Sequence, residues 1–424
     1  MRLLVVGSGG REHALVAALR REDPTLQLFA APGNPGTADI AVNLPIAADD
    51  LDALVQAAAA HAIDLVVIGP EVPLALGLAD RLRAEGRRVV GPNAGAAQVE
   101  SSKAFSKALM HRAGIRTAAS GTFTELSTAL AYIDDMDEPL VVKASGLAAG
   151  KGAVVCATRH DARDVVTSML HHDLFGEAGR TIVIEAFLEG EEVSLLALTN
   201  GTDVTLLPAA QDHKRLGEGD AGPNTGGMGA YGPVSLATPA LLKRSIDEVL
   251  LPMLAALRAN GTPFSGVLYA GLMVTAAGVP WVVEFNCRLG DPETQVVLPL
   301  VRGGLLRCLL AIAEGAAPPP LELHVDRYAV TTVLAAKGYP DAPERGAAIT
   351  LPHALPEGVM LFHAGTSRDA AGVLRVAGGR VINVTGVGAT FAEAQARSAA
   401  GAALVHFDGM QYRRDIGWRE AARR

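Results

Sequence analysis

Residues 281–286 form an apolar, strand-like segment that carries two oxygen ligands suited to a metal ion. The side-chain period of a strand is two, so Glu284 and Asn286 fall on one face. A carboxylate beside an amide oxygen suits a hard cation such as Mg²⁺. Arg288, Asp291 and Glu293 follow at once. Because so many charges crowd beside an apolar strand, a metal site and a solvated strand face are both retained as interpretations.

Residues 146–152 form a glycine-rich loop that looks like a P-loop at first sight. Its spacing is one residue short, and Gly152 stands where a P-loop has the Ser or Thr that binds Mg²⁺. The loop also joins two strand-like runs, 140–143 and 153–155, whereas a P-loop leads into a helix. We therefore predict a hairpin that closes over phosphates, with a ligand-free flexible hairpin as the alternative.

Lysine is scarce in this chain, with seven residues against 30 arginines. Four of the seven, Lys103, Lys143, Lys151 and Lys214, lie in or beside the glycine-rich and motif-like stretches. This clustering indicates chemistry that prefers a compact ammonium group to a planar guanidinium.

The first glycine-rich turn, 7–12, lies between a strand and a helix, where free N–H groups can bind phosphate. It is not an NAD fingerprint, because Glu12 replaces the third glycine and the second strand ends at Pro32 without a carboxylate for the ribose. A phosphate site other than NAD and a purely structural turn both stay open.

Two further links carry charge between predicted strands. Residues 184–192 can offer backbone groups to an adenine edge and a carboxylate to ribose hydroxyls, with an acidic surface turn as the alternative. Residues 211–229 form a long glycine-rich loop, and such loops are usually functional or disordered. For His213 in that loop a structural role is the simpler interpretation, and for Cys287 it is packing.

The elements that position these residues begin with an alternation of buried strand-like runs and amphipathic helices over residues 1–100. This pattern predicts a parallel α/β domain, whose ligands sit at the carboxyl ends of the strands. The predicted strands are 3–6, 26–29, 65–68 and 89–90, and the predicted helices are 12–20, 51–61 and 74–83.

Residues 101–325 predict an α+β unit instead, because short Gly-containing links imply antiparallel pairs. The proline-rich segment 316–320 is linker-like, and 326–424 alternates short strands with turns before a helix at 391–404. The predicted helices of the central unit are 102–113 and 239–259, and its strands are 139–144, 153–157, 181–187, 193–199, 203–208, 266–275 and 281–286.

Composition excludes several classes of protein. Apolar residues make up 49% and charged residues 19% of the chain, which is enough apolar surface for real interiors. No run of about 18 apolar residues or secretory leader is present, so we expect neither a membrane span nor export. Three separated cysteines fit neither a disulfide framework nor a zinc site, which favours a cytoplasmic setting. The net charge of −8 argues against nucleic-acid binding.

Taken in order, these motifs resemble those of the phosphoribosylamine–glycine ligases, or glycinamide ribonucleotide synthetases, in the ATP-grasp superfamily. The resemblance runs nearly end to end, and its RLGDPET stretch is highly specific. The matching stretches are VVGSGGREHAL (5–15), PGNPGT (32–37), GPEVPL (69–74), ESSKAFSK (100–107), VVKASGLAAGKG (141–152), QDHKR (211–215), GPNTGGMGAY (222–231), EFNCRLGDPETQ (284–295) and FDGMQYRRDIGW (407–418).

The resemblance implies a Rossmann-like N-terminal domain (1–100), an ATP-grasp domain (101–325) with a flap subdomain at about 118–190, and a small α+β C-terminal domain (326–424). It implies ATP-dependent ligation of glycine to 5-phosphoribosylamine in purine biosynthesis. Glycyl phosphate is the implied intermediate, and glycinamide ribonucleotide, ADP and phosphate are the products. The implied cofactors are ATP and Mg²⁺ or Mn²⁺. The expected partners are the small-molecule substrates, with no nucleic acid and no membrane. The expected assembly is a monomer or a weak homodimer.

The resemblance also assigns site residues position by position. The implied ATP-binding residues are Lys103, Lys143, Gly150, Lys151, Gly152, Glu185, Ala186, Phe187, Leu188 and Glu192, with Glu192 at the ribose. The implied metal ligands are Glu284 and Asn286. Arg288 is expected to steady the acyl phosphate or the glycine carboxylate, and Asp212, Lys214 and Asp291 to line the glycine end. The implied phosphoribosylamine residues are Gly9, Gly10, Arg11, Glu12, Asn34 and Glu71.

The chain departs from the family's pattern at three places. Ser145 stands where Asp is common, which puts a side-chain role there in question. Ala186 replaces a usual Glu, which should matter little because the hinge acts through its backbone. Residues 269–273 carry no carboxylate, so nucleotide phosphates and water would have to complete the metal's coordination.

Three alternative functions stay open from the sequence. The first is an ATP-grasp ligase with a different acid and amine. The second is a nucleotide-binding regulatory protein without turnover, which the combination of Lys103, Lys143, Glu284, Asn286 and Arg288 argues against. The third is an NAD-dependent dehydrogenase, which the broken fingerprint disfavours.

Overall fold

The apolar runs of the first hundred residues form a five-stranded parallel sheet in the computed structural model, which describes residues 1–148, 151–172 and 174–424. The predicted helix at 74–83 is two helices, because Gly77 between them has a left-handed φ of 87°. The strand order is Val42–Asn43, Gln27–Pro32, Arg2–Gly7, Leu65–Ile68 and Arg88–Val90, and the helices are Gly10–Glu22, Leu51–Ala60, Glu71–Ala75, Leu78–Ala84 and Ala94–Ser101.

A four-stranded antiparallel sheet, called the flap sheet here, follows in the chain. Helices Leu126–Asp134 and Arg159–Leu170 pack against it, and Thr158 and Asp161 form a capping box at the start of the second helix. The strand order is Ser120–Phe123, Ile182–Ala186, Leu140–Ala144 and Ala153–Cys156.

A second four-stranded antiparallel sheet, the central sheet, carries the predicted metal strand at its edge. A π-helical turn at Ile246–Leu250 interrupts the predicted helix 239–259, because Pro252 has no N–H to donate to the preceding turn. The strand order is Val204–Leu206, Glu191–Thr199, Gly266–Val274 and Pro280–Asn286, and the helices are Lys103–Arg112, Pro239–Ser245, Leu251–Ala259, Thr294–Val297 and Leu305–Ala313.

A five-stranded antiparallel sheet, the C-terminal sheet, takes two strands from before residue 325 and three from after it. It therefore joins the central and C-terminal parts of the chain, whose predicted limits stay a prediction. Helix Phe391–Ala402 packs on this sheet. The strand order is Gln211–Asp212, Gly229–Gly232, Tyr328–Ala335, Arg380–Gly388 and Val359–His363.

The remaining elements are short. Paired strands are Arg215–Gly217 with Ala221–Asn224, Val301–Gly303 with Glu322–Leu323, and Thr366–Arg368 with Leu374–Val376. A last helix covers Trp418–Arg423, and 3₁₀ turns lie at Thr37–Asp39, Gly176–Gly179, Glu218–Asp220 and Leu298–Leu300. None of the helices in the described ranges has both the length and the apolar composition needed to span a membrane.

Two buried histidines join the N-terminal and C-terminal parts of the chain. The backbone N–H of His363 donates to Nδ1 of His13 at 2.9 Å, and the amide of Asn34 donates to the His363 carbonyl at 2.8 Å. His13 and His363 are only 7% and 6% exposed. Burial, aided by the neighbouring imidazole, lowers the pKa of His13 to about 3, and burial lowers the pKa of His363 to about 4.

We expect the folded chain to lose stability as the pH falls from 7 to 5. Both imidazoles have a lower pKa folded than the value of about 6.5 expected unfolded, so the unfolded chain binds more protons in this range. Each site should contribute about 2 kcal/mol to the loss. Urea unfolding at pH 5, 6 and 7 measures this, and His13→Asn, which keeps an acceptor for the His363 N–H, should flatten the pH dependence. An unchanged slope in that variant would contradict the assignment.

Candidate active site

A cleft of about 770 Å³ brings together side chains from all parts of the chain. Glu71 reaches it from the N-terminal part, Lys143 from the flap sheet, Glu284 from the central sheet and Arg380 from the C-terminal sheet. The predicted site residues that line it are Arg11, Glu71, Lys103, Lys143, Gly152, Glu185, Ala186, Phe187, Leu188, Glu192, Asp212, Lys214, Glu284, Asn286, Arg288 and Asp291.

Lys103 is held where its helix meets the glycine-rich loop. Its backbone N–H donates to the Ser145 carbonyl at 2.8 Å, and the Ser145 hydroxyl accepts from the N–H of Ala104 at 3.1 Å. The Lys103 ammonium lies 3.4 Å from the Gly146 carbonyl. Burial lowers the pKa of Lys103, although Glu284 opposes the shift. Ser145 therefore has a side-chain role, which is to anchor the start of the Lys103 helix.

Lys143 and Glu185 face each other from neighbouring strands of the flap sheet. The Lys143 ammonium donates to Oε2 of Glu185 at 3.0 Å and to the carbonyl of Val283 at 3.2 Å. The second contact joins the flap sheet to the predicted metal strand Pro280–Asn286. Beyond Glu185 the hinge continues with Ala186, whose N–H donates to the carbonyl of Ala119 at 2.9 Å.

Glu284 and Asn286 both point into the cleft, as the strand period predicts. Neither side chain makes a hydrogen bond within the part of the chain that the structure describes, so their oxygens are available to a ligand. Burial raises the pKa of Glu284, but the surrounding cations, Lys214 first, lower it below its usual value. An ionised carboxylate beside an amide oxygen fits a hard divalent cation. Within the described ranges no cluster of three or more His, Cys, Asp or Glu side chains forms a metal site.

Asp212 and Lys214 lie in a dense group of charges next to Glu284. Lys214 bonds to Glu192, and its ammonium is 3.9 Å from Oε1 of Glu284. Burial raises the pKa of Asp212 well above its usual range, Lys214 opposes this, and the Glu293 carboxylate adds to it. The structure thus pairs Glu192 with Lys214, and its contact with a ribose stays a prediction.

Glu293 is a buried carboxylate next to this group of charges. It is 3% exposed, and its Oε1 accepts hydrogen bonds at 3.0 Å from both the Ser194 and the Tyr269 hydroxyls. Burial and the Glu293 carboxylate raise the pKa of Tyr269 well above its usual value, so the phenol stays a donor.

Arg288 is fixed by two carboxylates. Its Nη2 lies 2.7 Å from Oε1 of Glu100, and its Nε lies 3.3 Å from Oε2 of Glu71. Burial disfavours its charge, but Glu100 and Glu71 raise the pKa of Arg288 above its usual value. The guanidinium is therefore a permanent cation whose orientation is set before any ligand arrives.

Asp291 lines the cleft and pairs with Arg380. Its Oδ2 is 3.1 Å from Nη2 of Arg380, and its Oδ1 accepts from the Gln295 amide at 2.7 Å. Burial raises the pKa of Asp291, but Arg380 and Arg11 lower it below its usual value. A ligand beside Asp291 would meet a fixed carboxylate and a cation from the C-terminal sheet.

The first glycine-rich turn is occupied by the chain's own carboxylate. Oε2 of Glu12 accepts from the Gly9 N–H at 2.7 Å, and its Oε1 pairs with Arg11 at 2.5 Å. A Cβ on Gly69 would lie 2.1 Å from that Oε1, so this glycine makes room for Glu12. The carboxylate sits where an anion would bind at the helix N-terminus. The contact between Glu12 and Gly9 stabilises the start of the helix, and a phosphate site at this turn stays a prediction.

Asn34 is also engaged by the backbone. Its Nδ2 donates to the Ser8 carbonyl at 2.8 Å, and its Oδ1 accepts from the N–H groups of Gly36 and Thr37 at 2.9 and 3.0 Å. Asn34, Gly9, Gly10 and Glu12 do not line the cleft, and their role as substrate contacts stays a prediction.

The glycine-rich hairpin is only partly described. Lys151 is exposed, whereas Gly152 lines the cleft, and Gly150 lies outside the described residues.

Eight charged residues that line the cleft were not predicted as site residues from the sequence: Glu100, Lys107, Glu191, Arg215, Asp220, Glu293, Arg380 and Arg419. Lys107 follows Lys103 by four residues on one helix, so its spacing could have placed it on the same face. Glu293 falls inside the RLGDPET stretch. No local sequence pattern identifies Arg380 as a cleft residue, because strand pairing in the C-terminal sheet is what brings it to the cleft.

The fold and the cleft define an ATP-grasp enzyme, a class that uses ATP with a divalent cation. Three family models of phosphoribosylglycinamide synthetase match the chain: the N domain over 1–100, the ATP-grasp domain over 101–294 and the C domain over 329–419. The chain belongs to the phosphoribosylglycinamide synthetase family.

Relatives agree over the full length. Phosphoribosylamine–glycine ligases from Nostoc sp. and Xanthomonas axonopodis are 48% and 46% identical, covering 99% and 100% of this chain and 99% of each relative. The crystal structure of the Thermotoga maritima phosphoribosylamine–glycine ligase superposes with a TM-score of 0.86 at 35% identity, covering 98% of this chain and 100% of that one. A Campylobacter jejuni biotin carboxylase shares the fold alone, with a TM-score of 0.72 at 15% identity over 97% of this chain and 92% of its own.

The buried cysteines offer a test of how tightly the folded chain is packed. All three are buried, and burial raises the pKa of Cys156 and of Cys308 to about 11 and that of Cys287 well above its usual value. The thiolate is the reactive form. At pH 8 a disulfide reagent such as DTNB should therefore titrate none of them in the folded chain and all three in urea. Rapid reaction of Cys287 before unfolding would show that the Glu100–Arg288 region opens.

Proposed function

We propose that this chain ligates glycine to 5-phosphoribosylamine at the expense of ATP, giving glycinamide ribonucleotide, ADP and phosphate in purine biosynthesis. The observation that carries the proposal is the cleft itself. It sets ammonium groups for phosphates, a carboxylate–amide pair for a cation and a fixed guanidinium around one space. The family to which the chain belongs supports this choice of substrates.

The first step activates a poor electrophile. A glycine carboxylate oxygen attacks the γ-phosphorus, the bond to the β,γ-bridging oxygen breaks, and ADP leaves with that electron pair. Such a transfer needs positioning and charge neutralisation more than a nucleophilic side chain. Lys103 and Lys143, whose ammonium groups line the cleft, bind the phosphates in this proposal. The glycine-rich hairpin 146–152 closes over them.

The second step forms the amide. The amine of phosphoribosylamine attacks the carbonyl carbon of glycyl phosphate, the C–O bond to phosphate breaks, and the amine loses one proton. Arg288, held by Glu71 and Glu100, stabilises the acyl phosphate. At the glycine end, the ionised Asp291 attracts the ammonium group and Lys214 the carboxylate, while Asp212, whose raised pKa favours its neutral form, offers hydrogen bonds to the substrate.

The divalent cation would be held by Glu284 and Asn286, with nucleotide phosphates and water completing its shell. When bound, it neutralises charge on the transferring phosphoryl group. Mg²⁺ is the proposed ion and Mn²⁺ its substitute, since both accept oxygen ligands.

The base and the second substrate occupy opposite ends of the cleft in this proposal. Adenine binds along the hinge of Glu185, Ala186, Phe187 and Leu188, with the ribose near Glu192. Phosphoribosylamine binds near Arg11 and Glu71, which line the cleft, while Gly9, Gly10, Glu12 and Asn34 support the wall behind them.

The direct test is ADP release with glycine and phosphoribosylamine freshly formed from ribose 5-phosphate and ammonia. We expect turnover with this pair and none when another amino acid or amine replaces either substrate. ADP release with a different pair, and none with this one, would assign the chain to another ATP-grasp reaction.

Glu284→Ala should reduce kcat by about 100-fold or more, because the cation loses its charged protein ligand. Its folding should be preserved, since Glu284 makes no hydrogen bond within the described residues. Coupled ADP assays across a Mg²⁺ titration measure the effect. The matched control is Glu344→Ala, which removes an exposed carboxylate paired with Lys337 at 2.9 Å. Near-normal turnover in Glu284→Ala would remove the metal assignment.

A further inference from the structure

Lys107 is a buried cation that the proposed mechanism does not use. Its ammonium donates to Oγ1 of Thr117 at 2.7 Å and to the Ala118 carbonyl at 3.3 Å, and it lies 3.2 Å from Oε2 of Glu185. The residue is 4% exposed. Because an ammonium has three donors, these three contacts leave none for a ligand. Lys107 therefore acts through another group.

The group it contacts is a carboxylate with one free oxygen. Oε2 of Glu185 lies between two ammonium groups, 3.2 Å from Lys107 and 3.0 Å from Lys143. Oε1 is buried and has no hydrogen-bond partner among the described residues. Leaving a buried acceptor unpaired is costly. Glu185 lines the cleft beside Ala186 and Phe187, which are proposed to bind adenine, so a bound nucleotide is the source from which this oxygen would gain a donor.

We propose that Lys107 is a positioning residue for nucleotide selectivity, which holds Glu185 so that its free oxygen accepts from the exocyclic amine of a 6-aminopurine. The inference rests on the proposed binding of ATP at this hinge. A 6-oxopurine such as guanine presents a carbonyl oxygen at that point, which would face the carboxylate without a proton between them. Selectivity for ATP over GTP then depends on where Oε1 is held.

The two ammonium groups at this carboxylate have different roles: Lys107 holds Glu185 in place, and Lys143 serves the phosphates. With Lys107 in place, Glu185 is anchored to the segment 117–118, and Thr117 in turn donates to the Val282 carbonyl of the metal strand at 2.7 Å. Lys143 is then free to turn toward phosphates. Burial lowers the pKa of Lys107 to about 8, with Glu185 opposing, so at pH 7 it remains largely charged. Without Lys107 the carboxylate would be neutralised by Lys143 alone, which would pull that ammonium away from the phosphates.

The experiment measures binding of ATP and of GTP to the full chain by calorimetry in Mg²⁺, without glycine or amine. We expect wild type to prefer ATP. Lys107→Met replaces the ammonium group with an unbranched apolar side chain of similar length. It should weaken ATP binding by about tenfold and reduce the ratio of the ATP and GTP association constants by a similar factor. The matched control is Lys243→Met, which removes an exposed lysine paired with Asp247 and should change neither value.

A double-mutant cycle separates positioning from a purely structural role. If Lys107 acts through Glu185, then Lys107→Met added to Glu185→Gln should change the ATP-to-GTP ratio much less than it does in wild type. An ATP-to-GTP ratio that Lys107→Met leaves unchanged, even with a lowered Tm, overturns the proposal. So does full additivity in the cycle. If Lys107→Met fails to fold, Lys107→Gln, which retains a donor, takes its place with the same expected direction.

The failure of this inference is distinguishable from failure of the proposed function. ATP-selective binding that depends on Lys107, without ligation of glycine, would sink the ligase assignment and leave the positioning role standing. Ligation of glycine with equal binding of ATP and GTP would do the reverse.

Discussion

Pairing of buried charge is the constraint on which the cleft depends. A carboxylate or guanidinium removed from water is stable only with partners, and here the partners come from distant parts of the chain. Arg288 lies between Glu71 and Glu100, and Glu185 between Lys107 and Lys143. Each pair fixes a functional group and at the same time fastens two structural units together. The ligand-binding geometry and the packing of the domains are thus set by the same contacts.

Pairing of charge within the chain also explains the structure of the first glycine-rich turn. Its backbone N–H groups could bind a ligand's phosphate, but Glu12 already supplies the anion to Gly9. Gly69 leaves room for that side chain because any Cβ would collide with it. The turn is therefore stabilised from within the chain, and the cleft proposed for the nucleotide is lined instead by residues of the flap and central sheets.

The sequence was informative wherever function is carried by local order. The shared face of Glu284 and Asn286 followed from strand periodicity, and four of the five parallel strands of the first hundred residues followed from apolar runs. The antiparallel pairing of the two strands that flank the glycine-rich loop followed from the glycines between them. The sequence was uninformative where partners are far apart. The contacts of Glu192 with Lys214, of Lys107 with Glu185 and of Asp291 with Arg380 join residues 22, 78 and 89 positions apart, and no periodic pattern encodes them.

The C-terminal sheet has a consequence for how the chain can be divided. Strand Gly229–Gly232 has Tyr328–Ala335 as one neighbour, although the proline-rich linker separates them in sequence. A polypeptide ending at that linker would leave the backbone N–H and C=O groups along this strand unpaired. Such an exposed edge strand can pair with another chain. The last hundred residues are accordingly no detachable appendage. They complete the β-sheet that carries Asp212, so a chain cut at the linker would lose the support of this cleft residue.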